Sequence, residues 1–430
     1  MANDFKKLVQ ADKGLVERKI FSDEELYELE LKQIFGRSWL FVGHESQLPK
    51  ANAFIGGWMA QDPIIVTRDA RDKFHVFLNM CRRGGAKVTK EDVGNNEVFE
   101  CPQHGCLYNM EGQLVAVPGY DPEEVKKIDQ TEYGLVPAAH LETYKGLIFA
   151  TWDEQAPKLL DYLGDMTWYL DLLVDRRSGG TEVIGGVSRW VVPTNWKIPA
   201  DNFAGDEYRE GTAHGAARIV GLLPPVDLNE GGYTVNPGNG HGIVKYGRPT
   251  KKTLELFNYF PKNVQKYFDE TTAEVKKRLG EIRGENPSIP TGNIFPNLSI
   301  HSGAHLRVYH PRAADKTEIW MYCIVDKAAP TEIKTAIRRF LTQTYGVGGQ
   351  VEQDDVENWE QATALSKSKQ GRRVPMNLQM GLGHETIHEE FPGRVSPGVS
   401  EMNLRAFYAR WAEMMQAETW KDIKIDPKTR

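Results

Sequence analysis

Two short loops constrain this chain more than any other feature. The stretch NMCRRGGAKV, residues 79–88, closes an apolar run and carries Cys81; CPQHGC, residues 101–106, closes another and carries Cys101 and Cys106. Three of the four cysteines therefore fall within residues 81–106. A disulfide framework is not expected in a large cytosolic chain, so this clustering points to metal or redox chemistry. The competing reading is that a free cysteine is simply a small buried hydrophobe. That reading suits Cys323, inside the strand-like EIWMYCIV, but not Cys81 and Cys101, each followed by a turn rich in Gly or Pro.

The texture around the loops sets the domain organisation. Short strands with turn residues between them (SWLFVG, PIIVTRD, FHVFLNM, EVFECP, GLIFATW) fill residues 38–158 and predict a small all-β domain. Before it, SDEELYELELKQIFG predicts a helix with a Ser22/Glu25 capping box and a stop at Gly36. After it, strand-like runs alternate with helices predicted at 262–279, 331–345 and 400–416, giving an α+β second domain from residues 1–37 plus 159–430. No repeat, low-complexity tract or Gly-rich phosphate loop is visible. With 430 residues, 40% of them hydrophobic, the chain can fill two cores. Its net charge of −6 gives no electrostatic case for nucleic acid or an anionic membrane as partner. The start MANDFKKLVQADKG lacks the apolar core of a signal peptide and no run approaches a membrane span, so the cytoplasm is the expected location.

The loop spacing matches half of a known chemistry. A Rieske centre is a 2Fe–2S cluster held by two thiolates on one iron and two imidazoles on the other. Cys101 and His104 supply one loop intact; the other supplies Cys81 and then Arg83, whose guanidinium has no lone pair to give. Cys81, Cys101 and Cys106 with His104 also make a Cys3His set suited by type to zinc, although a residue at 106 is expected to pack beside the loop. A second constellation, NWKIPADNFAGDEYREGTAH (195–214), sets Asn202, Asp206 and position 209 at helical spacing with His214 beyond. A non-haem oxygenase iron needs two histidines and a carboxylate with open positions. His214 fits one histidine, Arg209 stands at the other, and VEQDDVENWEQAT offers Asp354 and Asp355, an acidic pair that also reads as an ordinary helix N-terminus.

These residues in this order resemble the α (large) subunit of Rieske non-haem iron aromatic ring-hydroxylating dioxygenases, the naphthalene, biphenyl and phenylpropionate dioxygenase group. The likeness runs through ELELKQIFGRSWLFVGHESQLP, FLNMCRRGGAKV, CPQHG, YKGLIFATWD, DYLGDMTWYLD, NWKIPADNFAGDEY, NIFPNLS, EQDDVENW and RAFYARWAEMM. It implies a Rieske domain inserted near the N-terminus of a catalytic domain built on an antiparallel sheet flanked by helices. It further implies that Cys81, Cys101 and His104 are cluster ligands and that His214 and Asp355 are iron ligands. Asp206 would be the acid linking the iron site to a neighbouring subunit's cluster, with Asn202, Phe203 and Asn297 near the substrate pocket. The implied partners are a β (small) subunit, ferredoxin, an NAD(P)H-dependent reductase and an aromatic substrate, in an α trimer, α3β3. The resemblance also implies departures: histidines are missing at Arg83 and Arg209, an arginine at Gly84 and a tryptophan at Cys106. With one ligand replaced in each site, low occupancy of the 2Fe–2S cluster and of Fe(II) is expected, and with it either impaired ring dihydroxylation or an inactive scaffold or regulatory α chain. An Arg209–Asp355 or Arg209–Asp206 ion pair is expected in place of the iron.

HETIH (384–388) matches a zincin pattern, but GLG before it and EEFPGRVSPG after leave too little length for a helix, and a surface loop is expected. His301, His305 and His310 in IHSGAHLRVYH read as structural or pocket-lining, with His301 the one placed to approach the iron site.

Overall fold

The computed structural model describes residues 5–205, 208–221, 231–248, 260–285, 290–301 and 304–429. Its first regular helix, α1 (Glu24–Glu30), differs from the expected cap. Asp23 is the N-cap and accepts from the Leu26 amide at 3.1 Å, while Ser22 donates to the Ser366 carbonyl instead. The α-helical pattern ends at Glu30, and Leu31–Phe35 continue as a π turn. A carboxylate one residue closer to the helix is the better acceptor, which is why the aspartate takes the cap.

The chain forms two compact units, Phe35–Ala156 and Met1–Ile34 with Pro157–Arg430. The smaller is built of strands, with one-turn helices at Pro122–Val125 and Gln130–Tyr133. β1 (Leu40–His44), β2 (Ala53–Met59), β3 (Asp62–Arg68), β4 (Phe74–Leu78), β5 (Val93–Asn95), β6 (Val98–Glu100), β7 (Leu107–Asn109), β8 (Leu114–Ala116), β9 (His140–Tyr144) and β10 (Leu147–Thr151) make three antiparallel sheets. Their orders are β4-β3-β2-β5, β8-β7-β6 and β9-β10-β1. Alternating inward residues build a core from Phe54, Ile65, Phe77, Phe99, Tyr108 and Leu114, and Cys81, Cys101 and Cys106 belong to it.

The larger unit centres on a nine-stranded antiparallel sheet. Its elements are β11 (Thr181–Val192), α2 (Lys197–Gly205), β12 (Tyr233–Asn236), β13 (Gly242–Tyr246), α3 (Lys262–Leu279), β14 (Gly292–Ile294), β15 (Leu298–His301), β16 (His305–Ala313), β17 (Lys316–Asp326), α4 (Thr331–Tyr345), α5 (Glu352–Lys367), β18 (Thr386–Ile387), β19 (Arg394–Pro397) and α6 (Met402–Gln416). The strand order is β11-β17-β16-β15-β14-β13-β12-β19-β18. β15 and most of β16 are buried, and β17 is buried from Ile319 to Val325. Cys323 lies in β17, where burial pushes its thiol up to about 12, as suits a small hydrophobe. Among the described residues no helix is long and apolar enough to cross a membrane.

Two polar devices position α2. Glu30 accepts from Trp196 Nε1 and Trp411 Nε1, both at 2.7 Å, and from Lys197 Nζ at 2.5 Å, all out of water. Thr194 and Asn195, just before the helix, bond to α5 through Thr363 Oγ1 at 3.0 and 3.1 Å. Closeness does the rest: a side chain at Gly242 would lie 2.3 Å from the Ala204 carbonyl, so only glycine lets β13 run against α2. Together these contacts hold the Asn202–Phe203 turn beside the acidic start of α5.

Candidate metal centres

In the smaller unit the two cysteine loops are the same loop drawn twice. Cys81 N donates to Ala86 O at 2.8 Å and Gly85 N to Cys81 O at 2.9 Å; Cys101 N donates to Cys106 O at 2.8 Å and Gly105 N to Cys101 O at 2.9 Å. Gly85 and Gly105 have φ of 75° and 71°, a conformation that favours glycine. The loops face each other, since a side chain at Gly84 would meet Gln103 Oε1 at 2.6 Å and His104 Cε1 at 3.3 Å.

The sulfurs share one buried place. The Tyr108 hydroxyl is 3.3 Å from Cys81 Sγ, and Cys101 and Cys106 belong to the same buried core cluster. Burial works to raise the Cys81 thiol, but the hydrogen bonds from Tyr108, from the Arg83 and Gly84 amides and with Cys101 hold it below its ordinary value. Cys106 is pushed up, by burial first and then by the neighbouring sulfurs. Cys106 is buried in the core of the smaller unit. Arg83 and His104 are exposed at the loop tips.

In the larger unit α2 is described as far as Gly205, helical turns are described at Arg209–Thr212 and Gly215–Ile219, and His214 stands just before the second of these. A side chain at Gly205 would come within 2.7 Å of Asn403 Cβ on α6. Asp206 lies outside the described residues, as does Glu207. The side chains that do converge are Arg209, His214, Asp354 and Asp355. Arg209 Nη1 is 3.4 Å from both His214 Nε2 and Asp355 Oδ2; His214 Nε2 is 3.6 Å from Asp355 Oδ1, and His214 Nδ1 is 3.3 Å from Asp354 Oδ2. The expected Arg209–Asp355 ion pair is present. The acidic first turn of α5 faces these two residues and complements the helix dipole at once.

Behind this group stands a second charged pair that sequence reasoning missed. Arg307 Nη2 meets Glu352 Oε2 at 2.6 Å, both fully buried. Burial pushes Glu352 up to about 7, against the lowering effect of Arg307. The Phe203 ring lies between two guanidinium groups, Arg209 at 5.1 Å and Arg307 at 5.0 Å from its centroid. His301 packs on Phe203 and Tyr345 and stacks on His305; burial holds it well below its ordinary value, helped by Arg307, Arg209 and His214. The only trace of Arg307 in the sequence is a cation inside the apolar strand HLRVYH, and of Glu352 an acid preceding the conspicuous aspartate pair. Asn202 and Arg209 line a cavity of ≈ 600 Å³ together with Asp201, Asp355 and Trp359. Asn297 instead clasps the Tyr309 backbone, at 3.0 and 3.1 Å, and Tyr309 in turn stacks near Phe203. His310 sits apart against Trp320. HETIH is not helical: Thr386–Ile387 is a short strand and His388 stacks on Phe391.

The family model described as "Rieske [2Fe-2S] domain" matches residues 38–144, and "Ring hydroxylating alpha subunit (catalytic domain)" matches residues 159–417. The chain belongs to the α subunits of the ring-hydroxylating oxygenases, an enzyme family carrying a Rieske 2Fe–2S domain and a non-haem iron catalytic domain. Among its relatives, the biphenyl 2,3-dioxygenase subunit alpha of Rhodococcus jostii is 38% identical, with 97% of this chain and 92% of the relative covered. The biphenyl dioxygenase subunit alpha of Paraburkholderia xenovorans is 37% identical over 97% of this chain and 94% of its own. A naphthalene 1,2-dioxygenase structure with indole in its active site superposes with a TM-score of 0.87, at 28% identity, covering 98% of this chain and 96% of that one.

The donors described on this chain do not make up either metal set. Among the described residues no group of three His, Cys, Asp or Glu side chains is disposed to hold one metal ion. At Arg83 and Arg209 the side chain is a cation without a lone pair.

Proposed function

We propose that this chain is the large subunit of an aromatic ring-hydroxylating, cis-dihydroxylating oxygenase whose own turnover is impaired, because Arg83 and Arg209 replace ligand histidines. In this reading Cys81, Cys101 and His104 are the remnant of the cluster site, and His214 and Asp355 the remnant of the iron site. Asp206 and Asn202 belong to the catalytic surroundings, and Phe203 and Asn297 to the substrate side. The β subunit, ferredoxin, NAD(P)H-dependent reductase and α3β3 assembly go with the family reading. The relatives' names, biphenyl and benzene dioxygenases, favour an apolar aromatic substrate.

One observation carries the impairment: the Arg209 guanidinium nitrogen lies at 3.4 Å from a histidine nitrogen and 3.4 Å from a carboxylate oxygen at once. His214 and Asp355 would have to hold a metal where this cation already lies. Iron and acid-labile sulfide analysis of the purified chain, with substrate-dependent oxygen uptake in the presence of ferredoxin and reductase, tests the reading. The expected result is substoichiometric iron and no uptake with biphenyl or naphthalene. Full iron and sulfide with substrate-dependent uptake would overturn it.

The same observation favours a second role, a catalytically silent α chain that assembles into trimers and tunes an active one. The Arg209–Asp355 pair neutralises a carboxylate that would otherwise be buried without a counter-charge, so the fold does not need iron to stand. A chain that stays monomeric at micromolar concentration, with or without a co-expressed β subunit, rules that role out.

A further inference from the structure

We propose that the larger unit carries a second small-molecule site, built for an aromatic carboxylate, where the outer strands β12, β19 and β18 meet the C-terminal segment. It is independent of the reading of the metal sites, and its cavity shares no lining residue with the one beside Arg209. The cavity measures ≈ 490 Å³, within the range that holds a small ligand. Register puts three of its side chains in one row. Asn236 of β12 lies opposite Arg394 of β19, which lies opposite Ile387 of β18, so all three project from the same face. Asn236 is only 8% exposed, and its Oδ1 accepts from the Gly238 amide at 2.9 Å. That bond fixes the amide plane and leaves Nδ2 buried with no hydrogen-bond partner among the described residues. A buried donor left unpaired is costly, so it marks where an acceptor belongs.

The other groups of the cavity narrow the ligand's chemistry. Its two carboxylates are already engaged. Asp165 accepts from Thr429 N and Oγ1, both at 2.7 Å, and Asp426 from Asn239 N at 3.2 Å and Lys424 Nζ at 3.1 Å. Donors remain. The Glu390 amide donates to His388 Nδ1 at 3.0 Å, so the neutral ring carries its proton on Nε2. The exposed Arg394 guanidinium adds a fixed positive charge in the row that holds the Asn236 amide. A carboxylate is the acceptor that suits an amide and a guanidinium side by side. The apolar wall is flat: the His388 ring stacks on Phe391 with centroids 4.5 Å apart and 16° between planes, and Ile387 beside them is 77% exposed. Stacked rings and an uncovered aliphatic chain favour a planar ring as the body of the ligand. Ile387 and His388 of HETIH serve as wall.

Benzoate is the probe, titrated into the full chain with benzamide and cyclohexanecarboxylate alongside. Benzoate is expected to bind, and benzamide about ten-fold or more weakly, because it lacks the charge that Arg394 meets. Cyclohexanecarboxylate should also bind more weakly, lacking the flat face. Light-activated 4-azidobenzoate then locates the site. Its label should fall in tryptic peptides 219–245 or 374–394, which carry Asn236 and the wall up to Arg394, and excess benzoate should abolish it. Arg394→Ala should weaken benzoate by about ten-fold, and Asn236→Leu by a smaller factor. The first variant changes an exposed side chain, so it decides the matter even where the second fails to fold. Failure to bind benzoate at millimolar concentration would overturn the proposal. So would equal affinity for benzamide or cyclohexanecarboxylate, a label confined to other peptides, or an affinity unmoved by Arg394→Ala.

Discussion

Arg83 stands on an exposed loop tip, whereas Arg209 is mostly out of water, packed on Phe203 and set between Asp355 and His214. The two positions carry the same residue, and the surroundings give it opposite meanings. At the loop, solvent screens the charge and the structure gains little from it. In the larger unit the guanidinium offsets a buried carboxylate, and its removal would leave that carboxylate without compensation. One cation stands in solvent; the other stands against a buried carboxylate.

The largest effect that could break this comparison is metal affinity. Arg209→His should raise Fe(II) affinity by on the order of a hundred-fold or more, because it exchanges a competing cation for an imidazole. Equilibrium dialysis or calorimetry reads this directly. If that variant still fails to bind Fe(II), then His214 and Asp355 are not ligands and the replacement reading falls. Arg83→His should leave Fe(II) affinity unchanged and act only on the appearance of a Rieske-type EPR signal after cluster reconstitution.

Stability comes next. Arg209→Ala should cost about 3–4 kcal/mol in denaturant unfolding, the range for breaking a largely buried pair. A cost near zero would mean that Asp355 is solvated well enough to need no partner.

Acid should separate the two units. His241 is wholly buried, with Nε2 on the Tyr162 carbonyl at 2.9 Å and Nδ1 accepting from Phe295 N at 3.0 Å, and burial holds it down at about 4. The unfolded chain takes up that proton near its ordinary value, so the larger unit is fully stable in this respect above about pH 6.5 and loses up to about 3 kcal/mol as pH falls towards 4. In the smaller unit, burial works to raise Asp69, but bonds from His75 and the Lys73 and Arg71 amides hold it below the ordinary carboxylate range. Its contribution is present above the ordinary carboxylate value and is lost only as pH falls through the lowered one. Hydrogen exchange read by peptide between pH 7 and 4 should show protection lost first in the larger unit. Simultaneous loss would mean that another group dominates.

Arg83→Ala should be the mildest change, within about 0.5 kcal/mol of the parent, as for an ordinary surface substitution. A cost comparable to that of Arg209→Ala would erase the contrast between the sites.

The elements were largely legible in the sequence because their periodicities are strong: apolar spacing predicts the short strands before residue 158 and helices at 262–279, 331–345 and 400–416, the last observed as Met402–Gln416. So were His214 and Asp355, whose convergence followed from the resemblance rather than from spacing. What stayed hidden is what only folding creates. Arg307 and Glu352 lie 45 positions apart in the numbering, and nothing local to either signals the other. The need for glycine at position 205 depends on Asn403, supplied by the last helix.

The Glu30 cluster also has a consequence in time. Its carboxylate meets Lys197 across 167 positions and Trp411 across 381. During synthesis the smaller unit is complete once residue 156 has emerged, and its contacts are short-ranged enough to form then. α1 has no such opportunity, since the indole that completes its buried acceptor is made almost last. A chain stalled or cut before α6 would carry a finished first unit together with a glutamate whose final partner never arrives. Truncations in that range are therefore the ones that should stick to chaperones.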